Sequence, residues 1–144
     1  MRRALRRFLA CRAGSSAVEV AILALPMFAL LFGSIEGGRA YWTSQAVKDV
    51  ATSVARCIGI AQPECAPGGT FDAAQARTYA VAAARGLGVL LDPDLVEIDG
   101  EGTCAGIGGF AVVTVSYRFL SPVGFVFPED IVMTGQSCFP VAGG

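Results

Sequence analysis

Few residues in this chain could do chemistry, and their types narrow the possibilities at once. Histidine is absent from all 144 residues. That removes the commonest general base and the commonest metal ligand. A Ser–His–Asp triad, a Cys–His dyad and a zinc-hydrolase site are excluded in their usual forms. Carboxylates cluster in one stretch, at Asp92, Asp94, Glu97, Asp99 and Glu101. Such a stretch could hold calcium or act in acid–base chemistry. Its spacing fits no EF-hand, and a solvated strand edge or loop explains it better. No enzyme, cofactor or metal is therefore expected. Of five cysteines, Cys11 lies in a basic head, leaving Cys57, Cys65, Cys104 and Cys138. Their spacing does not resemble a CxxC zinc site, and an even number in an oxidising compartment reads as two disulfides. The last candidate is Glu19, a lone carboxylate at the head of an apolar run, five residues after Gly14 in the segment GSSAVEV.

The elements around these residues follow from charge and periodicity. The first 14 residues carry five arginines and no acid, and the remainder carries six basic against twelve acidic residues. A basic head of this kind orients a chain at a membrane. The acidic remainder argues against nucleic acid as a partner, since phosphate binding needs a basic face. Mean hydropathy is +0.57, too apolar for a disordered chain and high for an ordinary soluble domain. The excess lies in Ala17 to Ile35, where Glu19 is the one charge. Nineteen helical residues span about 28 Å, close to the thickness of a bilayer core. The flanking arginines place the N-terminus in the cytoplasm and the C-terminal part outside. Tyr41 and Trp42 then fall where an outer aromatic belt would lie.

The helix should continue past the membrane. Val47, Val50, Val54 and Ile58 recur at three- and four-residue steps, so residues 16 to about 59 read as one helix. Pro26 lies inside it and predicts a kink. Gly33 and Gly37 form a GxxxG pair that permits close helix approach in lipid. A loop follows at residues 62–69. Thr70 is expected to cap a second helix over residues 71–91, with Tyr79, Ala83, Leu87 and Leu90 as its packing stripe and Asp92-Pro93 as its end. Val96 and Ile98 alternate with acids as a strand does. A Gly-rich loop is expected over 100–109. Strands are expected over 110–119, with Val113, Val115, Tyr117 and Phe119 on one face, and over 131–139, after the Pro-bounded apolar loop SPVGFVFP. The fold class is α+β: a long N-terminal transmembrane helix, a second helix and a small three-stranded antiparallel sheet.

Two export signals are echoed and fail. Arg6-Arg7-Phe8-Leu9 misses twin-arginine spacing by one residue, and no apolar region precedes Cys11 as a lipobox requires. Gly14 to Val20 instead resembles the processing site of type IV prepilins and pseudopilins: a basic leader ending in glycine, four small or apolar residues, a glutamate, then the span. The segment AVEVAILALPMFALLFGSIEGGRAYWTSQAV is further similar to the N-terminal signature of the TadE family. It has Pro26 seven residues after Glu19, Ile35 to Tyr41 as an IELGRAF-like stretch, and the pair Gln45-Ala46. Val20 stands where phenylalanine is usual, and Gly38 follows Gly37 where a Leu-Gly pair is common. The likeness covers about 40 residues.

The resemblance implies a cut between Gly14 and Ser15 by prepilin peptidase. It also implies an assembly role for Glu19, whose carboxylate would pair with a free N-terminal amine. The residue types suit this chemistry. Glycine leaves the scissile backbone unhindered. A carboxylate in an apolar helix costs up to about 2.5–3.5 kcal/mol at the bilayer centre, which favours giving it a partner. The implied organisation is a leader at 1–14, a membrane-spanning and amphipathic helix at 15–60, and an extracytoplasmic head at 61–144. The implied function is that of a minor pilin-like subunit of a Tad-type pilus system in the bacterial inner membrane, supporting pilus biogenesis and adherence. Its partners would be the peptidase, other pilin or pseudopilin subunits, the Tad inner-membrane machinery and membrane lipid. The alternative is an uncleaved, membrane-anchored extracytoplasmic binding or adhesion module. Four cysteines allow three connectivities, and sequence alone does not choose. Topology favours Cys57–Cys65, across the turn after the long helix, and Cys104–Cys138, if the second and third strands are antiparallel neighbours.

Overall fold

The computed structural model describes residues 15–121 and 131–141, and for residues 15 and 16 only the backbone. Helix α1 runs unbroken from Ser15 to Gly59, with Pro26 inside it. It ends where the chain can no longer hold helical geometry. The N–H of Gln62 donates to the carbonyl of Cys57, Ala61 turns to a φ of +49°, and Pro63 cannot extend a helix. The chain divides into two compact units within α1, one reaching to Gly37 and one beginning at Gly38.

The second unit is an α+β head with one core. Val47, Val50, Val54 and Ile58 of α1 form the expected buried stripe, and Ala51 is buried with them. They cluster with Ala76, Ala80 and Ala84 of α2 (Ala73–Gly86) and with Val96, Ala111, Val113 and Val115 of the sheet. Each fully buried valine contributes about 1.5–3 kcal/mol relative to an exposed one.

Helix α2 is shorter than its sequence pattern implied. Asp72, not Thr70, caps it: its Oδ1 accepts from the N–H groups of Ala74 (2.8 Å) and Gln75 (3.1 Å). At the other end the N–H of Gly88 donates to Arg85 and that of Val89 to Ala84. This pair of bonds is a Schellman closure, and it requires the left-handed φ of +78° that Gly88 adopts. The helix stops there, so its periodicity does not reach Leu90. The buried stripe is alanine, with Tyr79, Ala83 and Leu87 half-buried beside it. Leu90, expected in that stripe, is 80% exposed.

The sheet is an antiparallel meander in the order β1 (Val96–Cys104), β2 (Ile107–Phe119), β3 (Ile131–Pro140). The Gly-rich stretch is a hairpin rather than a loop. Cys104 pairs with Ile107, leaving a two-residue turn at Ala105 and Gly106 with φ of +52° and +83°. Positive φ at both central residues matches the right-handed strand twist. β3 lies against α1 at Gly135, where an added Cβ would come within 2.8 Å of the Val47 carbonyl oxygen and 2.9 Å of Lys48 backbone atoms. Only a glycine permits that approach.

Two disulfides fasten the head. Cys57–Cys65, with both residues fully buried, ties the end of α1 to the following loop. Cys104–Cys138 joins residues whose Cα atoms lie 6.3 Å apart. The expected topology holds: β2 and β3 are antiparallel neighbours, and Cys104 precedes β2. It does so as the last residue of β1, and β1 and β3 flank β2 without pairing. Two strand spacings would separate them by about 9.5 Å. The hairpin end of β1–β2 therefore leans across towards β3. The register shifts around Gly102 and the φ of +83° at Gly109 supply the bend, as bulges do.

Candidate membrane-anchoring and assembly site

Among the described residues the first unit is the N-terminal part of α1, with side chains exposed or half-buried from Ala17 up to Ile35 and Glu36 buried. Leu25 is 79% exposed and Leu30 76%, and the large apolar side chains from Val18 to Ile35 are all about half exposed or more. The apolar window of this helix has a mean hydropathy of 2.2, with none of it buried inside the molecule. The helix is long and apolar enough to cross a membrane.

The special residues of this segment share one face. Glu19, Pro26 and Gly33 recur every seven residues, and Gly37 follows four later. A heptad step returns to nearly the same side of a helix, with about 20° of drift that the final four-residue step reverses. The stripe thus carries an exposed carboxylate, a proline and two glycines. Proline at position 26 has no N–H to offer the carbonyl of Ile22. An added Cβ at Gly33 or Gly37 would meet nothing within 4 Å. The backbone is therefore open to close approach along this face. Ser15 opens the helix. Gly14, its neighbour across the expected cut, lies outside the described residues, as do the rest of the leader and Cys11.

Three further residues gain meaning only in the structure. Glu36, read in the sequence as part of a signature, is 2% exposed, the one charged side chain buried among the described residues. The Arg39 guanidinium lies 5.5 Å from the centroid of the Phe119 ring, within cation–π range. The Trp42 indole N–H donates to the carbonyl of Leu87 at 3.2 Å. The sequence marked Trp42 only as a residue of an outer aromatic belt and gave no sign of this bond.

The carboxylate-rich stretch serves local backbone geometry. Asp92 Oδ1 accepts from the N–H of Asp94, and Asp99 Oδ1 from that of Glu101. Among the described residues, no group of three or more acids and cysteines is arranged to hold a metal ion.

A helix long and apolar enough to cross a membrane makes this a candidate membrane-anchored protein. Residues 14–56 match the family model of TadE-like proteins. The likeness read in the sequence is thus borne out over the helix, and the family is one of Tad pilus-associated proteins. No curated protein and no solved structure matches the chain.

Proposed function

We propose that the protein is a minor pilin-like subunit of a Tad-type pilus system, held in the inner membrane by α1 with its head on the extracytoplasmic side. The observation that carries this reading is the family match over residues 14–56. It starts at the glycine of the processing motif and takes in the apolar run and all but the last three residues of α1. Prepilin peptidase removes residues 1–14 and leaves Ser15 as the new N-terminus. Glu19, on the face shared with Pro26, Gly33 and Gly37, then offers a carboxylate to the amine of a neighbouring subunit. That face admits a second helix at close range, and the ion pair offsets the cost of a charge in lipid. The five arginines of the leader, against Arg39 alone among the dozen residues after the apolar run, support the orientation. The two disulfides suit an oxidising compartment.

Intact-mass or N-terminal analysis tests the reading. Protein recovered from cells with an active prepilin peptidase should begin at Ser15. Protein that keeps residues 1–14 in those cells would contradict processing and favour a permanently anchored binding module.

A further inference from the structure

We propose that the heads associate with one another: a cationic groove on α2 of one copy takes the acidic face of β1 from a second copy. The inference goes beyond membrane anchoring and N-terminal processing, and depends on neither.

The groove, of about 510 Å³, runs along α2 to Pro93, and Arg77, Val81 and Arg85 help to line it. No acid is among its lining residues. Helical geometry explains this. Ala76, Ala80 and Ala84 turn inward to the core, so residues 77, 81 and 85, one position on, share a flank of the helix. Arg77 is already held in place, its Nε donating to the Val96 carbonyl at 3.3 Å. Arg85 is exposed. Neither arginine forms an ion pair among the described residues. Asp92 borders Arg85 in a neighbouring cleft, but its Oδ1 accepts from the N–H of Asp94.

The complement lies on β1. Strand alternation turns Val96 and Ile98 towards the core and leaves Glu97, Asp99 and Glu101 exposed. None of the three forms an ion pair among the described residues. Asp99 is engaged with the N–H of Glu101, which leaves Glu97 and Glu101 to reach outward. Four strand residues separate these two, or about 13 Å. Eight helical residues separate Arg77 from Arg85, or about 12 Å. The two pairs therefore match in spacing as well as in charge. A guanidinium fork suits a carboxylate, and the walls at Val81 and Pro93 shield the pairs from water, which strengthens them over pairs on an open surface.

A second copy is the occupant because the two halves cannot meet within one. Helix α2 packs on the inner side of β1, joined to it through Arg77 and Val96, whereas the acids alternate away from that side. Each copy thus offers a groove on one side and an acidic strand on the other. A contact of this kind is heterologous, so it propagates into rings or filaments rather than closing as a two-fold dimer.

Sedimentation of the full chain in density-matched detergent micelles at low salt tests the inference. The parent should self-associate as its concentration rises. Salt at about 1 M, where the screening length is about 3 Å, should disperse the complexes. Arg85→Glu, and separately Glu97→Lys with Glu101→Lys, should each weaken association about tenfold or more. Mixing those two variants should restore it, because the acidic β1 of the first meets the intact groove of the second; restoration also shows that both are folded. A parent that stays monomeric would overturn the inference and leave the groove to another acidic partner. Association that Arg85→Glu leaves unchanged, or that mixing fails to restore, would overturn it too. Glu19→Val separates the two readings. Association lost in Glu19→Val but kept in Arg85→Glu would assign the contact to α1, so the proposed function would stand and only this inference would fall.

Discussion

Residues 17–35 and 46–58 belong to one helix and are built from much the same aliphatic residues, yet they satisfy them in opposite ways. The second stretch places Val47, Val50, Val54 and Ile58 on one stripe and buries that stripe against its own head. The first has apolar residues on every side, none of them buried within the molecule. A stripe can be covered by one neighbouring layer, whereas a fully apolar cylinder needs a surrounding medium. The helix thus divides by what solvates it, and the two compact units part between Gly37 and Gly38.

Perturbations confined to one stretch should leave the other untouched. The largest expected effect is on the head. Replacing Cys104 and Cys138 with serine opens a loop of 34 residues, which chain-entropy estimates value at about 4 kcal/mol. Urea denaturation followed through Trp42 should show that loss, with membrane extraction behaviour unchanged. Next comes Leu25→Asp, which should cost about 3–4 kcal/mol of insertion on translocon scales. Alkaline extraction should release more of that variant. Glu19→Val should insert as well as the parent or better, yet fail to co-purify with partner subunits. The smallest is Asp72→Ala. It removes the cap of α2 and should lower head stability by about 1 kcal/mol, visible as a small shift of the same urea midpoint.

Much of this division was legible in the sequence, because helical periodicity and charge asymmetry are local signals. The extent of α1, its buried valines and the three-stranded meander follow from them. The end of α2 was misplaced. Apolar residues continue to Leu91, and the Gly88 closure that stops the helix earlier depends on backbone bonds rather than on residue type. The hairpin was missed because glycines at 100, 102, 106, 108 and 109 read as a loop. Strand pairing overrides that weak local preference. The lean that brings Cys104 to Cys138 depends on register shifts near Gly102, which no sequence period reports. At the candidate site, the motif residues were readable one by one. The contacts of Arg39 with Phe119 and of Trp42 with Leu87 were not, since each joins positions at least 45 residues apart.

Hydrogen exchange measured on the full chain in lipid nanodiscs, at rising urea, tests the division of α1 most directly. Urea unfolds the head but does not replace the lipid around an embedded helix. Amides of residues 46–58 should therefore lose protection through the head's unfolding transition, while those of residues 20–35 stay protected beyond it. Loss of protection by both stretches at the same urea concentration would contradict the account, because it would make α1 a single element stabilised by the head alone.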